Sequence, residues 1–258
     1  MRKHLVLAAV GDDSHHETWL TDGPRSFDVA LAYYGEQPGR FADRAEYYAA
    51  RTGLKYPLLH DFIRSELPRA AFDYDFVWMP DDDVRADSWQ LERLFALAAK
   101  HQLALCQPAL GRGETAYETL RVHPEYVLRY SRFVEIMCPL FSRDAFVRVM
   151  PTFRHNASGW GLDWLWASMF EPEQIAVIDS VAVENARPAG GAADGRLAGL
   201  GVDPSDECRR LMELYSLDNR RLNRATCRGT SRIQGVRHDG QKVWTRSILP
   251  AVFRRKAG

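Results

Sequence analysis

Five apolar runs recur along the chain with helix-patterned segments between them: HLVLAAV (4–10), FDVALAYY (27–34), FDYDFVWM (72–79), QLALCQP (102–108) and QIAVIDS (174–180). This alternation predicts an α/β sheet with crossover helices, because each run is of strand length and the patterned segments between are long enough to cross the sheet. The clearest helix spans 87–100: Asp87 or Ser88 can cap it, and Leu91, Leu94, Phe95 and Ala98 fall on one face. FVEIMCPLF (133–141) reads as a further buried strand, followed by a helix that Ser142 caps and Pro151 stops. With 258 residues, 46% of them hydrophobic, the chain can bury a sizeable core as one large domain or one domain with an appendage.

From Ala186 to Pro204 the composition shifts to Gly, Ala and Pro, the signature of a linker or an active-site lid. The expected organisation is therefore a catalytic domain over 1–204 and a small helical or irregular extension over 205–258. From Arg187 onward there are 15 Lys and Arg against 7 Asp and Glu, although the whole chain has zero net charge. One reading is a solvated basic face; the other is peripheral contact with an anionic membrane surface or with phosphates. No nucleic-acid-binding motif accompanies the basic region, so no nucleic acid is expected as partner. LVLAAV near the start is too short to span a membrane and leads into GDDSHH, not a cleavage site. Four cysteines without a CxxC pair argue against zinc or a disulfide framework and for a reducing compartment. The expected location is cytoplasmic, with any membrane contact at the inner face.

The run FVWMPDDDV (76–84) ends in three consecutive carboxylates. If the backbone stays extended there, Asp81 and Asp83 share a face and Asp82 points the other way. Carboxylates a few ångströms apart repel by about 1 kcal/mol in water and several times that near a protein surface. A hard divalent cation, Mg²⁺ or Mn²⁺, reverses that sign, taking one or two protein carboxylates and completing its shell with water and phosphate oxygens. The carboxyl end of a strand is also where open α/β sheets bind ligands. The competing reading is a turn and capping cluster ahead of the helix at Asp87.

SGWGLDWLW (158–166) sets one acid, Asp163, among three tryptophans and two glycines. It reads either as an acid at a helix start beside core tryptophans or as a general base beside an aromatic platform for a sugar, with Trp160 and Trp164 as acceptor contacts. Desolvation by indoles would raise the carboxyl pKa and make Asp163 a better base.

The ordered set VGDDSHHETWL, FDVALAYYGE, GLKYPLLHDF, YDFVWMPDDDV, FVEIMCPLFSRDAF, SGWGLDWLW and VIDSVAVENARPAGG resembles a family of proposed glycosyltransferases catalogued as domain of unknown function 707. The resemblance covers residues 4 to about 200. It implies a GT-A-like, Rossmann-type mixed sheet flanked by helices and a reaction that moves a sugar from a nucleotide-sugar donor to a saccharide or other hydroxyl. In that frame the DxD motif falls on Asp81 and Asp83, which would hold Mn²⁺ or Mg²⁺ on the donor diphosphate, with Asp82 between them. Asp163 becomes the base of an inverting displacement, and Asp12 and Asp13 lie where the nucleoside binds. Lys55 and His60 match a recurring Lys and His, Lys55 as a phosphate contact. Glu135 in FVEIM is a further acid near the site, open between a catalytic or acceptor-binding role and a satisfied buried carboxylate. The family pattern places a metal-binding His directly before Thr-Arg-Pro, where this chain has Asn185-Ala186-Arg187-Pro188. Asn185 would be a weaker, neutral ligand. Arg187 could close onto the diphosphate with the Gly-rich loop as a lid.

Other chemistries use parts of the same pattern. A haloacid-type phosphatase has strand-DxD, but its usual small or β-branched residue is Arg85 here. A nucleotidyltransferase would carry a Gly-rich phosphate loop in place of GDDSHH. An EF-hand is excluded by Arg85 and Ala86 at its fifth and sixth positions. A non-catalytic metal-dependent carbohydrate-binding protein would use the same acids and tryptophans.

Overall fold

The computed structural model describes residues 1–67, 72–115, 117–187, 197–217 and 233–245. Its centre is one mixed sheet in the order β11-β10-β7-β9-β6-β8-β4-β1-β2-β3, with a short β5 paired to β9. The strands are β1 His4–Val10, β2 Phe27–Tyr33, β3 Tyr47–Ala50, β4 Phe76–Trp78, β5 Val84–Arg85, β6 Leu105–Arg112, β7 Tyr126–Tyr130, β8 Leu140–Ser142, β9 Ile175–Asn185, β10 Ile233–Arg237 and β11 Lys242–Thr245. β3, β2, β1 and β4 run parallel, and β8 joins β4 antiparallel. The chain order grows outward from β1 to β3 and then returns to β4 on the other side of β1. That reversal is a topological switch point, and the segments leaving β1 and β4 open a crevice there.

β1 shows why the apolar runs are unbroken. Leu5, Leu7 and Ala9 pack into one core layer, and Val6, Ala8 and Val10 into the other. A strand covered on both faces cannot alternate with polar residues. The first layer holds α1 (Lys55–Glu66), α3 (Arg143–Val149), α4 (Leu162–Ser168) and α5 (Pro204–Leu214); the second holds α2 (Ser88–Lys100). α2 starts as expected: Asp87 accepts from Gln90 N at 2.8 Å while the Gln90 side chain accepts from Asp87 N at 2.8 Å. Such a reciprocal cap contributes about 1 kcal/mol.

Two local expectations change. FVEIMCPLF is not one strand; only Leu140–Ser142 pairs as β8, and 133–139 is an irregular strap. Its backbone groups are committed elsewhere, as the site makes clear. Pro151 does not end the helical path after Ser142: α3 passes into a 3₁₀ helix, Met150–His155, with proline in its first turn, where a missing N–H costs little. The segment after 204 adds α5, whose Leu211 enters the first core layer, and β10 and β11, which extend the same sheet. Most of the Gly-rich stretch, 188–196, and much of the basic region lie outside the described residues. Among the described residues no helix is long and apolar enough to cross a membrane. Cys106, Cys138 and Cys208 are free thiols.

Candidate active site

The strap 133–139 is the floor of the crevice. Pro139 O accepts from Met79 N at 2.8 Å, Met137 O from Asp81 N at 2.7 Å, and Cys138 O from Trp78 Nε1 at 3.1 Å. Ile136 O accepts from Lys55 Nζ at 2.8 Å and from Tyr56 Oη at 3.0 Å. Of four consecutive carbonyls, three thus hold β4 and its exit and the fourth holds α1, which is why they are absent from a regular ladder.

The triplet itself is a turn, not an extended segment, closed by Val84 N to Asp81 O at 3.2 Å. Asp82 and Asp81 turn to different partners. Asp82 is buried and points back under β1, where Oδ2 accepts from Gly11 N at 2.8 Å and Tyr34 Oη at 2.7 Å, and Oδ1 from Arg187 Nη1 at 3.0 Å. Its carbonyl accepts from His15 N at 2.7 Å. Asp82 therefore fastens the loop after β1 to the loop after β4.

Asp81 and Asp83 line the recess. Lys55, at the start of α1, donates to Asp81 Oδ1 at 2.6 Å and to Met79 O at 3.2 Å. With Ile136 O, all three ammonium donors have protein acceptors, so a direct phosphate contact would need one of them exchanged. Desolvation in this walled recess raises the Asp81 pKa, against the opposing pull of Lys55, although 39% of its side chain still meets solvent. Asp83 is pushed up to about 6 by desolvation and then by the Asp81 and Asp82 charges. Among the described residues no hydrogen bond or ion pair from another side chain reaches Asp83, and no group of three or more His, Cys, Asp or Glu gathers to hold a metal unaided. Two hard oxygen donors, one of them uncompensated, nevertheless fit a small divalent cation that takes its other ligands from water and a diphosphate.

The other two acids are Glu135 on the strap and Asp163 on α4, close enough for the Asp163 charge to act on Glu135. Asp163, in the first turn of α4, is 5% exposed and pushed up to about 7 by desolvation, while Trp164 N donates to its Oδ1 at 2.8 Å. Glu135 is pushed up to about 8 by desolvation and then by the charges of Asp163 and Asp81. Among the described residues its Oε2 is buried without a partner. Sequence reasoning missed what positions it: the fully buried Gln107 of β6 accepts from Glu135 N at 2.7 Å. A lone Gln within an apolar strand is the one signal that could have pointed there.

The remaining expected residues divide. Asp12 accepts from the Tyr33 hydroxyl and from Glu36 N at 2.9 Å, and these bonds, Glu36 first, hold its pKa below the usual carboxylate range. Asp13 presents its carbonyl to Arg187 Nη2 at 2.6 Å. Arg187 thereby clasps both loops of the crevice. His60 lies about 140° around α1 from Lys55 and meets Asp61 Oδ1 at 3.3 Å, with no contact to the acid cluster. Trp160 is half exposed; Trp164 packs beside Phe133 and Leu120 with its Nε1 buried and unpartnered. Asn185 pairs with Val84 across β5, next to the triplet, and Ala186 N donates to Asp83 O at 3.0 Å. The Asn185 amide donates to Glu114 O at 3.2 Å, and among the described residues its Oδ1 is buried without a partner. Beyond β2 and β3, Tyr33, Gly35, Arg51, Thr52, Pro57 and Asp61 border a cleft of about 600 Å³.

Among solved structures, S. aureus TarS 1-349 in complex with UDP-GlcNAc matches this chain with a TM-score of 0.58 at 12% identity, over 86% of this chain and 70% of that one. The chain has a GT-A-like fold. The complex of TarS 1-349 with UDP gives 0.49 at 9% identity, over 86% and 74%, and TarS 1-349 alone 0.48 at 11%, over 71% and 60%. The chain thus spans less than two thirds of the length of TarS 1-349 in the last of these comparisons. No protein-family model and no curated protein matches the sequence, so the family resemblance rests on the quoted motifs.

Proposed function

We propose that this chain transfers a sugar from a nucleotide-sugar donor to a hydroxyl acceptor in a metal-dependent, inverting reaction. The observation that carries this reading is the pair Asp81 and Asp83 just after β4, at the switch point of the sheet, with Glu135 on the strap and Asp163 on α4 near enough for their charges to act on one another. Carboxyls whose pKa is raised by burial and by one another's charges are the pattern expected of a cation-binding or proton-transferring site. The fold likeness to a protein holding UDP-GlcNAc supports it.

Asp81 and Asp83 are the candidate ligands for Mn²⁺ or Mg²⁺, with Asn185 beside them. When bound, the cation would stabilise charge developing on the nucleoside diphosphate leaving group. The cleft beyond β2 and β3 is the candidate nucleoside site, and Tyr33 at its border donates to Asp12 in the loop that carries Asp13. Asp163, with a pKa near neutrality, removes the acceptor proton as the hydroxyl attacks the anomeric carbon, while Trp160 and Trp164 provide the apolar face for the acceptor. Glu135 in its neutral form can donate to a sugar hydroxyl.

The test is a melting-temperature screen of nucleoside diphosphates with and without Mn²⁺. A ligand that binds only the folded chain raises the melting temperature by mass action. One base should give a Mn²⁺-dependent rise. Stabilisation by free sugars with Ca²⁺, and by no nucleotide, would favour a carbohydrate-binding protein instead.

A further inference from the structure

Trp160 lies on the loop 156–161, which makes little regular structure of its own and leads into α4, whose first turn carries Asp163. The loop's shape comes from Asn156, whose Oδ1 accepts from Gly159 N at 2.6 Å and whose Nδ2 donates to Trp160 O at 2.7 Å. Gly159 and Gly161 both take φ +88°, a left-handed conformation that costs other residues strain. The loop is gripped on two sides. A side chain at Gly159 would meet Ile136 Cδ1 at 2.8 Å and Tyr56; one at Gly161 would meet Cys208 Sγ at 3.1 Å and Leu211 of α5.

Two amides at the start of this loop point away from the crevice. Ala157 N donates to Glu207 Oε1 at 2.9 Å and Ser158 N to Glu207 Oε2 at 2.7 Å, so both oxygens of one carboxylate hold two successive backbone donors. Bonds to an ionised acceptor are roughly twice as strong as neutral ones. Glu207 belongs to α5, 50 positions downstream and held at its start by the Asp203 cap. We propose that Glu207 is a positioning residue for the acceptor side of the site, through which the segment after residue 204 fixes the loop that carries Trp160 and leads to Asp163. This rests on reading Asp163 as the base, but concerns the shape of the loop before it, not its chemistry. By holding the loop closed, Glu207 keeps Asp163 out of water among its neighbours Glu135, Tyr56 and Cys208.

The experiment compares the full chain with Glu207→Ala and Glu207→Gln, by amide hydrogen exchange and by carbon-13 titration of the Asp163 carboxyl. In Glu207→Ala, exchange over 156–163 should rise about tenfold or more while β1 and α2 stay as in wild type. The Asp163 midpoint should fall from near 7 by about one unit or more as water enters. Glu207→Gln keeps one acceptor oxygen, so exchange should quicken at only one of the two amides, with the midpoint close to that of wild type. Unchanged exchange over 156–163, an equal rise throughout the fold, or a loosened loop with an unmoved midpoint would overturn the proposal. If Glu207→Ala does not fold, Glu207→Gln decides: exchange at Ala157 and Ser158 identical to wild type counts against it. Neither readout needs turnover, so this failure leaves the glycosyltransferase reading standing.

Discussion

Lys55 Nζ lies 2.6 Å from Asp81 Oδ1, and the same ammonium binds the carbonyls of Met79 and Ile136. One positive charge thus ties α1, the exit of β4 and the floor strap together, and it occupies one oxygen of a candidate metal ligand. Lys55→Met should lower the unfolding free energy by about 2 kcal/mol, because two carbonyls and a carboxylate lose their donor in a half-buried setting. Mn²⁺ should then raise the melting temperature more than it does in wild type, since Asp81 becomes wholly available. An equal or smaller Mn²⁺ effect in the variant would contradict a cation beside Asp81.

Neighbours in the triplet should behave oppositely. Asp82→Ala removes the acceptor of Gly11 N, Tyr34 Oη and Arg187, and should cost about 3 kcal/mol in denaturant unfolding. Asp83 has a folded pKa raised to about 6. Its contribution is complete below its unfolded pKa and is lost as pH rises through about 6. Asp83→Asn should therefore stabilise the metal-free chain above pH 6 and weaken Mn²⁺ binding. Similar destabilisation by both variants would make the triplet a structural turn.

Asp163 carries the same sign further. Its pKa near 7 means that ionisation opposes folding, with stability lost as pH rises through about 7. At pH 8, Asp163→Asn should gain stability on the order of 4 kcal/mol at most, while transfer falls by about two to four orders of magnitude. Wild-type transfer should rise with pH through about 7, because the base must be ionised. Loss of stability and activity together would mark Asp163 as a helix-start residue only.

Much of this was legible because both-sided burial writes itself as unbroken apolar runs, and β1 and β2 follow them closely, while β4 takes up only Phe76–Trp78 of the run 72–79. The triplet stood out for a similar reason: like charges in a row after such a run demand compensation. FVEIM misled, since an apolar segment whose carbonyls bind Lys55, Tyr56 and Asp81 has the same composition as a strand. Pattern offered no means of pairing Glu207 with Ala157 and Ser158, because a surface glutamate on a helix looks alike whether it meets water or a backbone 50 residues away.

Asn185 stands next to the triplet, and among the described residues its Oδ1 has no partner. Asn185→His should tighten Mn²⁺ in titration calorimetry, with a smaller gain for Mg²⁺, because imidazole suits the softer ion. No change for either ion would leave Asn185 as the partner of Glu114 alone.

The central claim is a nucleoside diphosphate held through a cation on the acids after β4. Titration calorimetry of UDP into wild type and Asp83→Asn, each with and without Mn²⁺, tests it most directly. Wild type should bind UDP at least about tenfold more tightly with Mn²⁺, a difference of about 1.4 kcal/mol, and Asp83→Asn should lose that gain. If UDP binds with the same affinity in all four conditions, the cation is not held by these acids and the account is wrong; if UDP binds in none, a panel of other nucleoside diphosphates giving no heat would contradict the donor site altogether.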